Sequence, residues 1–314
     1  MGVVRRQLEA DLVMTPPRRA TRNPGPRWGF AFLLWAERAW PHWFFRRALR
    51  AGNWVAIALL PEQRRHSRDY LNVALGRPAS WSDVVDHFQL FSEVLLLMLQ
   101  AGRGRTVACT LDPVHGAEFE ELVRSPQPAL FGTFHVGASD LLGYRLADWG
   151  RKVSILRLQV GNSSDTRLLG ERYVENISFL WVNDPATLLF DLKEAIESGI
   201  SVALKCDRIE YASRNEAFEF LGARRNFPFT IYHLAVLFRR PVVFCIALPG
   251  PDTTRDPLRI HASPVFHPDP NAARAVNLAA ARRHFQEVLS HLEGVIRRDP
   301  RLWFNFLPLN PVAA

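Results

Sequence analysis

Leu130-Phe131-Gly132-Thr133-Phe134-His135-Val136-Gly137-Ala138-Ser139-Asp140-Leu141-Leu142 reads as the end of a buried strand, a glycine-containing turn that carries a histidine, and a helix start with an aspartate in its first turn. His135 and Asp140 stand five residues apart, and on an unbroken helix that step turns about 500°, which leaves the two side chains roughly 140° apart. A shared helical face is therefore excluded. If His135 instead lies in the turn, Gly137 lets the chain bend, Ser139 caps the helix, and Asp140 can fold back toward the imidazole. A carboxylate on one ring nitrogen fixes the tautomer and leaves the other nitrogen free as a general base. The plainer alternative is a His and an Asp that merely flank a helix start.

On the carboxyl side of this stretch, short apolar segments alternate with amphipathic ones. Strands are expected at Lys152–Leu158, Ser178–Val182 and Ile200–Leu204, with helices at Asp165–Glu175 and Pro185–Ser198, the second closed by Gly199. Such alternation predicts an α/β fold, a layered mixed sheet flanked by helices. Active groups in these sheets gather beyond the carboxyl ends of the strands, where His135, Arg157 and the Asp207-Arg208 pair each fall. Arg157 and Arg208 end apolar strands and read either as a clamp for phosphate or a developing oxyanion, or as partners of Asp165, Asp207 or Glu210 in structural ion pairs. Asn162 reads as a turn residue.

Farther on, Phe218–Gly222 is expected to be a strand and turn, and Asn226-Phe227-Pro228 to lead into a helix over Phe229–Phe238. Arg224 and Arg225 read as a solvated basic edge, or as a holder for an acidic acyl carrier. Strands at Pro241–Leu248 and Arg259–Ser263 precede a long helix over Asn271–Arg298, after which Trp303, Phe304 and Phe306 fold back as an aromatic clasp.

On the amino side, residues 1–27 are rich in Arg, Pro and Thr, and are expected to form a disordered basic tail. Glu9 and Asp11 interrupt the one apolar run there, so a secretory signal is not expected, and Arg6 occupies the place where a myristoylation start needs Ser or Thr. Residues 28–60 mix Trp28, Trp35, Trp40, Trp43, Phe44 and Phe45 with Arg38, Arg46, Arg47 and Arg50. No window reaches about 18 uninterrupted apolar residues, so the segment reads as helices lying at a membrane surface, or equally as helices packed on the protein's own core, broken at Pro41. Helices are expected over 62–103, a short strand at Val107–Leu111, and a helix after His115-Gly116, with His115 a loop histidine.

The whole chain has 314 residues, 48% of them hydrophobic, enough for a substantial core in what reads as a single domain over 28–314. Cys109, Cys206 and Cys245 lack metal-site spacing and are expected to be free thiols; no metal or cofactor is expected. The net charge of +8 is almost wholly arginine, since Lys152, Lys193 and Lys205 are the only lysines. That charge suits an anionic membrane surface, phosphopantetheine or nucleic acid. Of these, nucleic acid finds no reading motif here and is not expected as a partner.

The ordered set Phe134-His135-Val136-Gly137-Ala138-Ser139-Asp140, Asp207-Arg208, Phe220-Leu221-Gly222, Phe227-Pro228, Pro241-Val242-Val243, and Leu292-Glu293 through Pro300-Arg301-Leu302-Trp303-Phe304 resembles the lysophospholipid acyltransferase superfamily, and within it the bacterial lipid A late-acyltransferase family. The first of these looks like that family's His-x4-Asp box. The resemblance implies a glycerol-3-phosphate acyltransferase-like fold and transfer of an acyl chain from an acyl carrier protein or coenzyme A thioester to a hydroxyl or amine of a lipid-like acceptor. It implies His135 as base, Asp140 as its orienting carboxylate, and Arg157, Asp207 and Arg208 in substrate binding. It also implies a place at the cytoplasmic face of a bacterial inner membrane. The chain differs from the family in carrying Leu156-Arg157 where a tyrosine-arginine pair is usual, and an interrupted aromatic-basic segment where a spanning helix is usual. It looks closer to a shorter branch associated with pigment and aryl-polyene lipids. A different class of function, a catalytically silent lipid- or carrier-binding protein, would use the same cleft.

Overall fold

Alternating apolar strands and amphipathic helices close into one mixed sheet in the computed structural model, which describes residues 27–157, 173–182, 185–209, 214–253 and 255–312. The strands are β1 (Cys109–Leu111), β2 (Leu130–Thr133), β3 (Val153–Arg157), β4 (Ile177–Trp181), β5 (Ser201–Lys205), β6 (Asn215–Phe220), β7 (Ala223–Pro228), β8 (Val242–Leu248) and β9 (Leu258–Ala262). The helices are α1 (Arg27–Ala39), α2 (His42–Leu59), α3 (Pro61–Leu75), α4 (Trp81–Gly102), α5 (Gly116–Arg124), α6 (Leu142–Asp148), α7 (Pro185–Glu197), α8 (Thr230–Phe238) and α9 (Arg274–Arg298).

Seven strands lie in the order β1-β9-β8-β2-β5-β3-β4, every neighbouring pair parallel except β8 and β9. The central strands read as unbroken apolar runs because helices cover both faces; Val242 through Ala247 of β8 are all buried. β2, β5 and β3 are neighbours, so the three strand ends that carry His135, Arg157 and Asp207-Arg208 lie side by side at one edge of the sheet. The outlying β6-β7 pair is an antiparallel hairpin. Its second strand was expected to be a turn leading into α8. The hairpin reaches across to α9, where Glu219 N donates to Gln286 and Leu221 N to Glu293. Such partners far along the chain override a weak local strand signal.

α4 is the described helix long and apolar enough to cross a membrane, but 72% of its apolar window is buried inside the protein. An all-round apolar helix of that kind belongs to the interior. Its start is fixed by a capping box: the Ser80 hydroxyl accepts from Asp83 N at 3.1 Å while the Asp83 carboxylate accepts from Ser80 N at 2.7 Å. α1 and α2 pack on it through Leu34, Ala36 and Phe45, which meet Leu96 and Leu99. The inner faces of these helices thus follow the reading of helices packed on the protein's own core, while Trp28, Trp35, Trp43 and Trp54 point outward. Pro41 separates α1 from α2, as expected for a residue that cannot donate within a helix. Cys109, Cys206 and Cys245 are free. The 1–26 tail, Asn162, Asp165 and Glu210 lie outside the described residues, as does most of the helix expected over Asp165–Glu175.

Candidate functional site: a histidine held by a buried aspartate

After β2 the chain does not run straight into a helix. Phe134 through Ala138 form a loop clamped on two sides by backbone hydrogen bonds. On one side Ala138 N donates to Ala247 O at the end of β8; on the other Gly137 N donates to Leu302 O and Phe304 N donates to His135 O, all at 2.8 Å. Gly137 makes this possible with φ +52 and no side chain, because a Cβ there would lie 2.4 Å from Ala247 O. The bend at Gly137 follows the expectation, but the role of Ser139 does not. Its hydroxyl donates back to Val136 O and accepts from Ala247 N at 3.2 Å, so it ties the loop to β8 and caps no helix. The helix begins with a short 3-10 turn, Ser139–Leu141, that leads into α6.

His135 is thereby presented at the sheet edge, with its side chain 22% exposed, and its partner is Asp207, 1% exposed, from the end of β5. His135 Nδ1 lies 2.7 Å from Asp207 Oδ1, and the His135 backbone N–H donates to Oδ2 at 2.8 Å. Oδ2 also accepts from the Trp303 indole N–H at 2.8 Å. Burial alone would raise the Asp207 carboxyl, but His135, Arg208 and the Trp303 donor outweigh it and hold it well below the usual carboxylate range. Asp207 is thus an ionised acceptor, which requires the proton on His135 Nδ1 and leaves a lone pair on Nε2. Burial and the Arg208 and Lys205 charges push the His135 imidazole down to about 4 against the pull of Asp207, so it is neutral at pH 7.

This corrects the expected dyad. Asp140 does not orient His135: its Oδ2 accepts from Lys205 Nζ at 2.8 Å. The physical reason is placement, since the Phe134–Ala138 loop turns His135 toward β5, while the following 3-10 turn puts Asp140 over the end of the same strand beside Lys205. Burial would raise the Asp140 carboxyl too, but Lys205 and then Arg157 overcome it and hold the group ionised. Arg157 therefore sits near Asp140, and Arg208 near the His135–Asp207 pair. All five expected residues come together, but the carboxylate on His135 is Asp207, and Asp140 pairs with Lys205.

Lys205 and Trp303 join the site without having been singled out for it. Lys205 had a legible signal: a rare lysine ending an apolar strand, the same feature that marked Arg157 and Arg208. Trp303 stood in the expected aromatic clasp and in the closing motif of the resemblance, but its contact with Asp207 was not legible, because it spans 96 residues of chain. Two outlying expectations fall elsewhere. Arg225 is no solvated edge: it is buried and donates to Asn310 O at 2.8 Å, while Asn310 Nδ2 donates to Asp207 O at 3.0 Å. His115 stands at the start of α5, with Nδ1 3.9 Å from Glu118.

Chemically, the site offers a neutral imidazole, locked at Nδ1 and with Nε2 unbonded among the described residues, near Arg208 and Lys205, while Arg157 lies near Asp140. Such an arrangement can remove a proton from a weakly acidic hydroxyl or amine and stabilise negative charge that develops next to it. Among the described residues, no group of three or more His, Cys, Asp and Glu side chains is placed to hold a metal ion. Compared with known proteins, the chain matches no family model and no curated protein.

Proposed function

We propose that this protein is an acyltransferase that moves a fatty acyl chain from an acyl carrier protein or coenzyme A thioester to a hydroxyl or amine of a lipid-like acceptor, with His135 as general base. The observation that carries the reading is the neutral, carboxylate-held imidazole, its Nε2 unbonded among the described residues, near Lys205 and Arg208. The ordered resemblance to the lipid A late acyltransferases supports it, and the mixed α/β sheet is compatible with the glycerol-3-phosphate acyltransferase-like fold that the resemblance implies.

In this scheme Nε2 takes the acceptor's proton as its oxygen or nitrogen attacks the thioester carbonyl carbon. The carbonyl π bond opens to a tetrahedral oxyanion that Arg208 stabilises. Collapse breaks the C–S bond, and the departing thiolate takes the proton from the imidazolium, which returns His135 to its starting state. Asp207 stabilises the transient imidazolium and keeps the ring oriented. Because a thioester is already activated, no covalent enzyme intermediate is needed. The outward aromatic and arginine side chains of α1 and α2 suit a peripheral position on an anionic membrane, here the cytoplasmic face of the inner membrane.

Purified protein supplied with acyl carrier protein and coenzyme A thioesters and a lipid extract should release free thiol and form acylated lipid. His135→Ala should abolish both. Equal product from the variant and the wild type would sink the reading, and a catalytically silent carrier-binding protein would give carrier binding with no product from either.

A further inference from the structure

We propose that Trp303 is a positioning residue: its indole N–H fixes the Asp207 carboxylate so that the second oxygen meets His135 Nδ1. The inference rests on the His135 chemistry above. An aspartate carboxylate turns easily about its last torsion. Here one oxygen, Oδ2, is held by two donors at 2.8 Å, the His135 backbone N–H and the Trp303 indole, which leaves Oδ1 directed at the imidazole at 2.7 Å. The backbone donor moves with the loop it belongs to. Trp303 is the donor that comes from outside that loop.

The backbone that carries the indole is itself held. Trp303 pairs with Val136 as an isolated antiparallel bridge, and its carbonyl accepts from His87 Nε2 at 3.0 Å. His87 Nδ1 in turn accepts from the Ser67 hydroxyl at 2.8 Å. Ser67, His87 and Trp303 are all buried, and burial pushes His87 down to about 4, which leaves a neutral ring with the one donor and one acceptor these contacts need. A serine on α3, a histidine on α4 and a tryptophan after α9 thus stand in series behind the carboxylate. A tryptophan serving only to fill space would not need its N–H on the one carboxylate that contacts His135.

The test reads protonation directly and needs no turnover. Imidazole and indole nitrogens are followed by NMR over pH in the full chain, with His135 assigned by His135→Gln. His135 is faced by Asp207, Arg208 and Lys205 from the end of β5 and by Asp140 and its neighbour Arg157, and none of these is altered. In the wild type, Nδ1 should be protonated and the Trp303 indole signal should shift with the His135 midpoint. Trp303→Phe removes the donor, returns charge to Asp207 and should move the His135 midpoint up by about half a unit or more, toward its ordinary value. In the acyl-transfer assay it should lower kcat roughly ten- to hundredfold while KM changes little. A folded Trp303→Phe protein with an unmoved His135 midpoint would overturn the proposal. If that variant does not fold, a wild-type indole signal indifferent to pH across the His135 titration would overturn it equally. An absence of acyl transfer in the wild type beside the expected NMR result would discard the reaction and leave the positioning role standing.

Discussion

Two carboxylates lie near His135, and the distribution of donors shows which one contacts it. Asp207 takes the ring N–H, while Asp140 takes the Lys205 ammonium. Asp207→Asn would offer Nδ1 an amide in place of an anion and favour the wrong tautomer, so kcat should fall by about 10³–10⁴-fold. Asp140→Asn leaves the dyad intact and unpairs Lys205; its effect should fall mainly on KM, by about tenfold or less. Steady-state kinetics of both variants checks the order, and a larger kcat loss for Asp140→Asn would restore the spacing-based dyad. His-x4-Asp made both the histidine and the neighbourhood legible, but not the partner, because five residues of spacing cannot say which way the loop turns the ring. The same depressed histidines predict acid lability. His135 and His87 both fall to about 4 from 6.5, so the unfolded chain takes up protons first as pH drops below 6.5. Stability should therefore decline from about pH 6.5 down to about 4, each group removing up to about 1.4 kcal/mol per pH unit, whereas catalysis limited by neutral His135 should hold until about pH 4. Thermal melts across that window check the first effect, and His87→Gln should flatten part of the slope.

At the scale of elements, the strand-loop-helix unit works because its loop passes under β8 without a side chain in the way. Gly137 and Gly76 both have positive φ, +52 and +65, but only Gly137 has backbone where a Cβ would go; around Gly76 nothing lies within 4 Å. Gly76→Ala should cost about 1 kcal/mol, the strain of a left-handed alanine at the end of α3. Gly137→Ala should cost about 2–3 kcal/mol or more, since Ala247 O must also move and carries its bond from Ala138 with it. Urea denaturation of the two variants separates the contributions, and equal losses would contradict the close approach. The elements most legible in the sequence were those with a strong period or a hard stop: β8 as a continuous apolar run, α9 with Pro300 after it, and α1 and α2 parted by Pro41. β7 was not, because Arg224, Arg225 and Asn226 break any apolar alternation. It is a strand because Arg225 reaches Asn310 and β6 supplies its ladder.

For the whole molecule, the unsolved economy is at the amino-terminal face. α1 and α2 use their inner side chains on α4, yet Trp28, Trp35 and Trp43 remain 73%, 56% and 61% exposed, with Phe32, Phe44, Trp54 and Leu59 also outward. Phe32, Trp35, Trp40, Phe44 and Trp43 form a chain of ring contacts, and so many outward aromatics are unusual on a protein that meets only water. Arginines are interleaved with it: the Arg47 guanidinium lies 5.2 Å from the Trp43 ring centre, and Arg68 lies 4.7 Å from that of Trp81, which stacks on Trp54. Rings at the depth of lipid headgroups beside cations facing anionic lipid satisfy both sets of side chains at once, at roughly 1 kcal/mol per arginine near the surface. The full chain should therefore sediment with vesicles containing anionic lipid, weakly with neutral ones, and less in both cases as Trp28, Trp35 and Trp43 are replaced together by alanine. Since those rings are mostly exposed, the triple variant should stay folded, and its melting temperature measured beside the wild type separates lost docking from lost folding. Raised salt should weaken the arginine part alone and leave the aromatic part in place. Binding that is indifferent to the three tryptophans would mean that this face is covered by something other than a lipid surface.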